Sequence, residues 1–216
     1  AMCECLRELC RQEQKKVLMQ AFGAGKESFE KFRLDVYPDR IDPKLGISPR
    51  ALMKRVYESA VSYTKTFSEG SDSLLFMGAT GLGKTFLSGC IARAVADKGY
   101  SVCYVSAGKL FSDFETEKFR LKEDGALTGE YMETDLLIID DLGTEMTTQF
   151  TVSALYQVVN GRLLSGRPTI VSTNLPDSEL EARYSAQIAS RLLGAYTLYQ
   201  FCGTDVRLLK KMESGR

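Results

Sequence analysis

The chain has 216 residues, 44% of them hydrophobic, and its 28 basic residues are matched by 28 acidic ones. Such a length buries one good core with a short arm besides, and the charge balance excludes a global pull towards nucleic acid or an anionic membrane, leaving any such contact to a local patch. Histidine is absent, which excludes histidine-dependent acid–base chemistry and histidine-ligated metal; with no apolar run of membrane-spanning length and no secretion signal, the expectation is a cytoplasmic protein with no membrane partner.

Residues 4–22 are charged and helix-favouring and stop at Gly23-Ala24-Gly25. Cys3, Cys5 and Cys10 crowd the start of this stretch. Three thiolates with no fourth nearby cannot close a tetrahedral zinc site, so they read as the end of a longer zinc-binding segment lying upstream. Cys90, Cys103 and Cys202 fall inside predicted helix or strand and read as small apolar filler. Residues 28–49 combine Phe29, Phe32 and Tyr37 with Pro38, Pro43 and Pro49, which predicts an extended arm lying on the core. Leu52, Val56, Ala60 and Tyr63 recur at helical spacing and predict a helix over 50–66 before the turn at 69–72.

Next comes a short apolar run, Leu74-Leu75-Phe76-Met77, that reads as a buried strand, and residues 86–95 read as a helix. Between them stand Gly78, Ala79, Thr80, Gly81, Leu82, Gly83, Lys84 and Thr85, the pattern G-x-x-x-x-G-K-T of a phosphate-binding loop. Glycines let the backbone bend until several N–H groups converge on one concavity, and the helix start, with Phe86 in its first turn, adds positive potential there. Lys84 is suited to the β- and γ-phosphates of ATP, or the β-phosphate of ADP, and the Thr85 hydroxyl to Mg²⁺.

Strands and helices then alternate. Residues 102–105 predict a strand, 107–123 include a helix, and 126–133 form a short helix. The wholly apolar strand 136–139 runs into Asp140 and Asp141. Asp140, first off the strand, is the expected metal carboxylate; Asp141 is the expected group for polarising an attacking water, with Glu145 its rival. Helix 148–164, strand 169–173 ending at Asn174, helix 178–193 with Arg191 near its end, and strand 197–201 complete the pattern. Five strands separated by helices predict an α/β fold of three layers around a mostly parallel sheet, with ligands at the carboxyl ends of the strands. Asn174 would face the γ-phosphate, and Arg191 and Arg207 are candidate cationic clamps on the transferring phosphoryl group.

GATGLGKT, LLIIDDLGTE, TIVSTNLP, the segment Ala189-Ser190-Arg191-Leu192, and Arg207 together resemble the AAA+ ATPases of the bacterial replicative-helicase-loader group, of DnaC/DnaI type, and the related IstB transposition ATPases. The resemblance covers residues ~28–210. It implies a P-loop NTPase of the AAA+/ASCE kind with little or no C-terminal helical lid. Residues 1–27 would be the tail of an N-terminal, helicase-gripping segment, and residues 28–216 one ATPase domain. By the same resemblance Asn174 is similar to the sensor-1 residue, Arg191 to an arginine finger acting across a subunit interface, and Arg207 to the sensor-2 arginine. Arg183 is a second finger candidate. The family's usual Asp-Glu pair is Asp-Asp here, so hydrolysis by the isolated chain is expected to be slow.

The implied function is ATP-switched delivery of a replicative helicase hexamer to single-stranded DNA, with ATP-dependent self-assembly. A transposition ATPase, a small-molecule kinase using the same loop and a non-hydrolysing adaptor are the alternatives. Lys109, Phe111, Phe114, Lys118, Phe119, Arg120 and Lys122 mix bases with aromatics suited to single-stranded DNA. Acidic residues interrupt that run, and an amphipathic surface helix is the favoured reading of it.

Overall fold

The computed structural model describes residues 27–119 and 126–208. The expected tail at 1–27, with Cys3, Cys5 and Cys10, lies outside them apart from Glu27, as do Arg120, Lys122 and the last eight residues. Five strands form the sheet: β1 (Leu74–Met77), β2 (Val102–Ser106), β3 (Leu136–Leu142), β4 (Thr169–Thr173) and β5 (Thr197–Gln200). Their order is β2-β3-β4-β1-β5, and all four pairings are parallel, where the sequence predicts a mostly parallel sheet. β4 therefore stands between the strand that feeds the glycine loop and the strand that carries the paired acids.

Among the described residues seven α-helices flank the sheet: α1 (Pro49–Thr66), α2 (Lys84–Asp97), α3 (Ala107–Phe119), α4 (Ala126–Glu133), α5 (Gln149–Leu164), α6 (Asp177–Tyr184) and α7 (Ala186–Ala195). Side chains alternate across a strand, so each strand supplies both faces. Leu74, Phe76, Leu136, Ile138 and Ile170 pack under α1, α2 and the arm. Leu75, Met77, Leu137, Ile139 and Val171 pack under α3 to α7. That double burial is why these strands read as unbroken apolar runs.

Local signals set the ends of several helices. Ser48 caps α1, its Oγ accepting from the Ala51 amide at 3.2 Å, with Pro49 at the first helical position. Thr148 and Thr151 form a reciprocal capping box at the start of α5.

Two boundaries differ from the sequence prediction. The single helix expected over 178–193 is two, α6 and α7, broken at Ser185, whose φ of 108° no helix accommodates. Its hydroxyl then caps α7 by accepting from the Ile188 amide. The strand expected to end at Ile139 continues to Leu142, so Asp140 and Asp141 lie within it, at an irregularity in the β3–β4 register between Ile139 and Leu142. Asp141 takes a left-handed φ of 55° there. An extra residue in a strand re-aims the side chains that follow it, which leaves Asp140 buried and the adjacent Asp141 exposed.

Buried Arg162 on α5 ties the edge opposite the loop together. Its guanidinium donates to the carbonyl oxygens of Tyr131, Thr134 and Pro168 and to the Thr169 hydroxyl. Burial lowers its pKa to about 10. The carbonyls at the end of α4 supply the negative potential that it faces.

Candidate functional site

The loop between β1 and α2 turns on positive φ values: 146° at Gly78, 79° at Gly81 and 93° at Gly83. Space matters as much as dihedrals at two of them. A Cβ on Gly78 would lie 2.4 Å from the Phe201 carbonyl oxygen, and one on Gly81 2.0 Å from the Asp205 carboxylate. The segment after β5 is thus laid directly on the loop, and the Val206 amide donates to the Gly81 carbonyl at 3.0 Å.

Lys84 begins α2 and is 6% exposed. Its Nζ donates to the carbonyl oxygens of Gly78 at 2.6 Å and Ala79 at 2.8 Å, which aims the ammonium into the curl of the loop. Burial holds its pKa below the ordinary lysine value, opposed by Asp141 and Asp140, while Arg207 adds to the lowering.

Asp140 is 2% exposed, and hydroxyls from three elements satisfy its carboxylate. Thr85 Oγ1 donates to Oδ2 at 2.8 Å, Tyr104 Oη to the same oxygen at 2.6 Å, and Ser172 Oγ to Oδ1. Burial, and then Asp140 beside it, push the Tyr104 hydroxyl well above its ordinary pKa, so it remains a donor. Asp141 is exposed, and its amide donates to Ser172 Oγ at 3.0 Å. Partial desolvation by the surrounding protein first and Asp140 second raise its carboxyl pKa above the ordinary value, with Lys84 and Arg207 pulling the other way.

Lys84, Thr85, Asp141 and Arg207 line one cavity of about 340 Å³. Its opposite wall is the arm, through Phe32, Val36 and Tyr37. Tyr37 Oη donates to the Leu82 carbonyl at 2.8 Å, and the Phe32 ring packs against Tyr37, Tyr57 and Phe86 with centroids 6.1, 5.4 and 6.0 Å apart. The arm is therefore part of the site, whereas the sequence predicts only that it covers the core. Sequence reasoning also missed Tyr104 and Ser172 as partners of Asp140. Ser172, a hydroxyl residue in the fully buried strand Thr169–Thr173, was the visible signal.

Other predicted residues stand apart from this cavity. Asn174 is exposed just past β4, between the loop strand and the acidic strand. Arg191 lies on α7 against α5: Nε donates to Asn160 Oδ1 at 2.8 Å, Nη2 to Tyr156 Oη at 3.1 Å, and Nη1 to the Gln187 carbonyl at 3.1 Å, with the guanidinium over the Tyr156 ring. Arg183 donates to Thr147 Oγ1 at 2.7 Å and to the Glu145 carbonyl. Glu145 folds back on its own loop: Oε2 accepts from the Gly143 amide at 3.0 Å and Oε1 from Tyr184 Oη. On α3, Phe111 and Phe114 are buried, Lys109 pairs with Asp113, and Lys118 lies over the Phe150 ring. That pattern is the amphipathic surface helix, with Phe111 and Phe114 spent on the core. Among the described residues no cluster of three or more His, Cys, Asp or Glu could hold a metal ion, and no helix is long and apolar enough to cross a membrane.

A phosphate loop after β1, paired acids on β3 and an intervening parallel strand define a P-loop NTPase of the AAA+ class. The chain belongs to the IstB-like ATP-binding protein family, whose family model matches residues 52–200. It is 26% identical over 135 residues to the replicative helicase loader DnaC of Escherichia coli strain K12, covering 62% of this chain and 55% of that protein. It is likewise 26% identical over 106 residues to an ATP-binding protein of an insertion sequence in Mycobacterium tuberculosis, covering 49% and 42%. The chain thus spans about half the length of the curated relatives it matches. Among solved structures, the DnaC helicase loader superposes with a TM-score of 0.69 at 18% identity, covering 82% of this chain and 98% of that one. DnaI superposes with a TM-score of 0.64 at 19% identity, covering 87% and 92%. Replication initiator DnaA bound to AMPPCP and single-stranded DNA gives 0.66 at 20% identity, covering 88% and 55%. These likenesses bear on the fold.

Proposed function

We propose that the chain is an ATP-hydrolysing switch of the helicase-loader type, delivering a replicative helicase hexamer to single-stranded DNA. The observation that carries this is the meeting of Lys84, Thr85, Asp141 and Arg207 in one cavity, while Arg191 is held on α7 and α5 away from it. A site with its own cation and acids, and a second arginine presented elsewhere, suits an assembly in which each copy completes its neighbour's site.

The residues fit a nucleotide and its metal. Glycines at positive φ bend the loop around the Lys84 ammonium, and Thr85 Oγ1 and Asp140 Oδ2 are hard oxygen donors 2.8 Å apart. Thr85 and Asp140 would hold Mg²⁺, which on binding would neutralise charge on the β- and γ-phosphates. Lys84 meets the same phosphates. Asp141, re-aimed by the irregularity in β3, accepts the proton of the attacking water. Arg207 stabilises the terminal phosphate from the other side, and Asn174 orients the water from the end of β4. Arg191 of one copy reaches the next copy's γ-phosphate. A trans-supplied arginine contributes roughly 10³–10⁵ in rate where it has been measured.

The test is turnover per chain against protein concentration, with and without single-stranded DNA, for the wild type and Arg191→Ala. Turnover that rises with concentration in the wild type and stays flat in Arg191→Ala is the expected result. Flat profiles for both reject the assembly reading.

The insertion-sequence relative favours a second reading, an ATPase assisting transposition through the same chemistry. Stimulation by the replicative helicase of the same cell, against stimulation by duplex DNA with a transposase, separates the two.

A further inference from the structure

Glu145 lies four residues past Asp141, yet both oxygens of its carboxylate turn away from the cavity to join two segments of chain. Oε2 accepts from the Gly143 amide at 3.0 Å. Oε1 accepts from the hydroxyl of Tyr184, the last residue of α6 and a fully buried side chain. The Glu145 carbonyl accepts in turn from Arg183, whose Nε also holds Thr147 Oγ1 at 2.7 Å.

The turn that Glu145 closes is also held from within. Thr144 donates twice to the Asp141 carbonyl, through its amide at 3.3 Å and its hydroxyl at 2.9 Å. Gly143, at a φ of 106°, presses on Leu175 so closely that a Cβ would lie 2.7 Å from that side chain.

Both helices that grip Arg191 begin at this latch. Thr147 leads into the Thr148 cap of α5, which presents Tyr156 and Asn160. Tyr184 leads into Ser185, the strained cap of α7, which carries Arg191 itself. A shift of the Asp141 turn therefore has a hydrogen-bonded path to the start of each helix, because packed elements move as units rather than deforming.

The geometry points to Glu145 and Tyr184 as positioning residues that set the placement of Arg191 from the hydrolytic turn at Asp141. This rests on the reading of Arg191 as an arginine acting on a neighbouring copy. Neither residue lines the cavity of Lys84 and Asp141; each acts through the helices it anchors.

Tyr184→Phe removes one hydroxyl and leaves the ring in the core. The full chain of the wild type, Tyr184→Phe, Arg191→Ala and the double variant are compared for ATP turnover at dilute and at assembling concentrations, with melting temperatures alongside. Dilute turnover of Tyr184→Phe is expected to match the wild type, while the concentration-dependent increment falls about fivefold or more. In the Arg191→Ala background the same substitution is expected to change nothing further, a non-additivity that a merely structural residue would not produce. Glu145→Gln, which keeps only one acceptor oxygen for two donors, is expected to reproduce the loss. If Arg191→Ala loses the increment and Tyr184→Phe keeps it, or if the two losses add, the positioning role is overturned and the finger reading survives. If Arg191→Ala keeps the increment, both fall.

Discussion

The Thr85 hydroxyl donates to Asp140 Oδ2 across 2.8 Å, joining the first turn of α2 to the end of β3. Two motifs 55 residues apart in sequence thus share a hydrogen bond that holds one carboxylate oxygen at the loop. With Tyr104 and Ser172 as further donors, Asp140 is held in place before any metal arrives. Asp140→Asn is expected to weaken Mg²⁺-dependent nucleotide binding and leave metal-free binding largely intact. Titration calorimetry with and without Mg²⁺ checks this; equal losses in both would contradict it.

Lys84→Ala is expected to abolish productive ATP binding while the fold survives. A hydrogen bond to a charged group contributes about 1.5–3 kcal/mol, so losing each such contact weakens binding roughly 10- to 150-fold. The carbonyls of Gly78 and Ala79 that Lys84 now occupies belong to a half-buried and an exposed residue, where water can replace it. Calorimetric affinity, with a thermal melt as the control, measures both halves of the expectation.

Asp141→Asn is expected to keep nucleotide and Mg²⁺ binding but to lose turnover by roughly 10²–10⁴, the usual effect of removing a general base. Glu145→Gln should retain most of the dilute turnover, since Gly143 and Tyr184 hold that carboxylate. The pH dependence follows from partial desolvation, and secondarily Asp140, raising the Asp141 pKa above 3.8. A raised acid pKa means that the fold disfavours the charged form, so this group's stability penalty is present above the folded pKa and is relieved as pH falls through it. Activity has the opposite sign, because a base must be ionised. The acid limb of the kcat/KM profile should therefore lie above the ordinary carboxylate value; a limb at or below 3.8 would show that another group sets it.

Tyr37→Phe is expected to loosen the arm from the loop. It removes the hydrogen bond to the Leu82 carbonyl while keeping the stack with Phe32. At about 1 kcal/mol for such a bond, nucleotide affinity should fall by about fivefold at most. Amide exchange in the loop around Leu82 should quicken, and unchanged exchange there would refute the contact's role.

Arg162→Ala is expected to destabilise the fold without touching the site. Carbonyls of Tyr131, Thr134 and Pro168 would lose their donor inside the protein. Each orphaned buried acceptor costs about 1–3 kcal/mol, and a chain of this size loses roughly 2–4 °C of melting temperature per kcal/mol. A fall of roughly 6–36 °C, partly restored by Arg162→Lys, is the expected melt. Nucleotide affinity below the new transition should be unchanged.

Much of this was legible in the order of residues. The unbroken apolar strands, the glycine loop with Lys84 and Thr85, and the acids after Ile139 announce themselves locally, because strand burial and phosphate cradling each demand fixed residue types at short spacing. What sequence could not reveal was contact at a distance. Tyr104 and Ser172 serve Asp140 only because β2 and β4 flank β3 in the sheet. The arm walls the cavity only because Tyr37 finds the Leu82 carbonyl 45 residues on. Arg207 enters the site because Gly81 has no side chain to hold Asp205 and Val206 away. The split of one predicted helix at Ser185, and with it the link from Glu145 to Arg191, came from a backbone torsion that no residue type at that position demands. Sequence alone determined the chemistry of the loop and its acids, since that chemistry is local. The tertiary structure decided which hydroxyls, rings and arginines share it, since strand order and close packing bring together residues that no spacing relates.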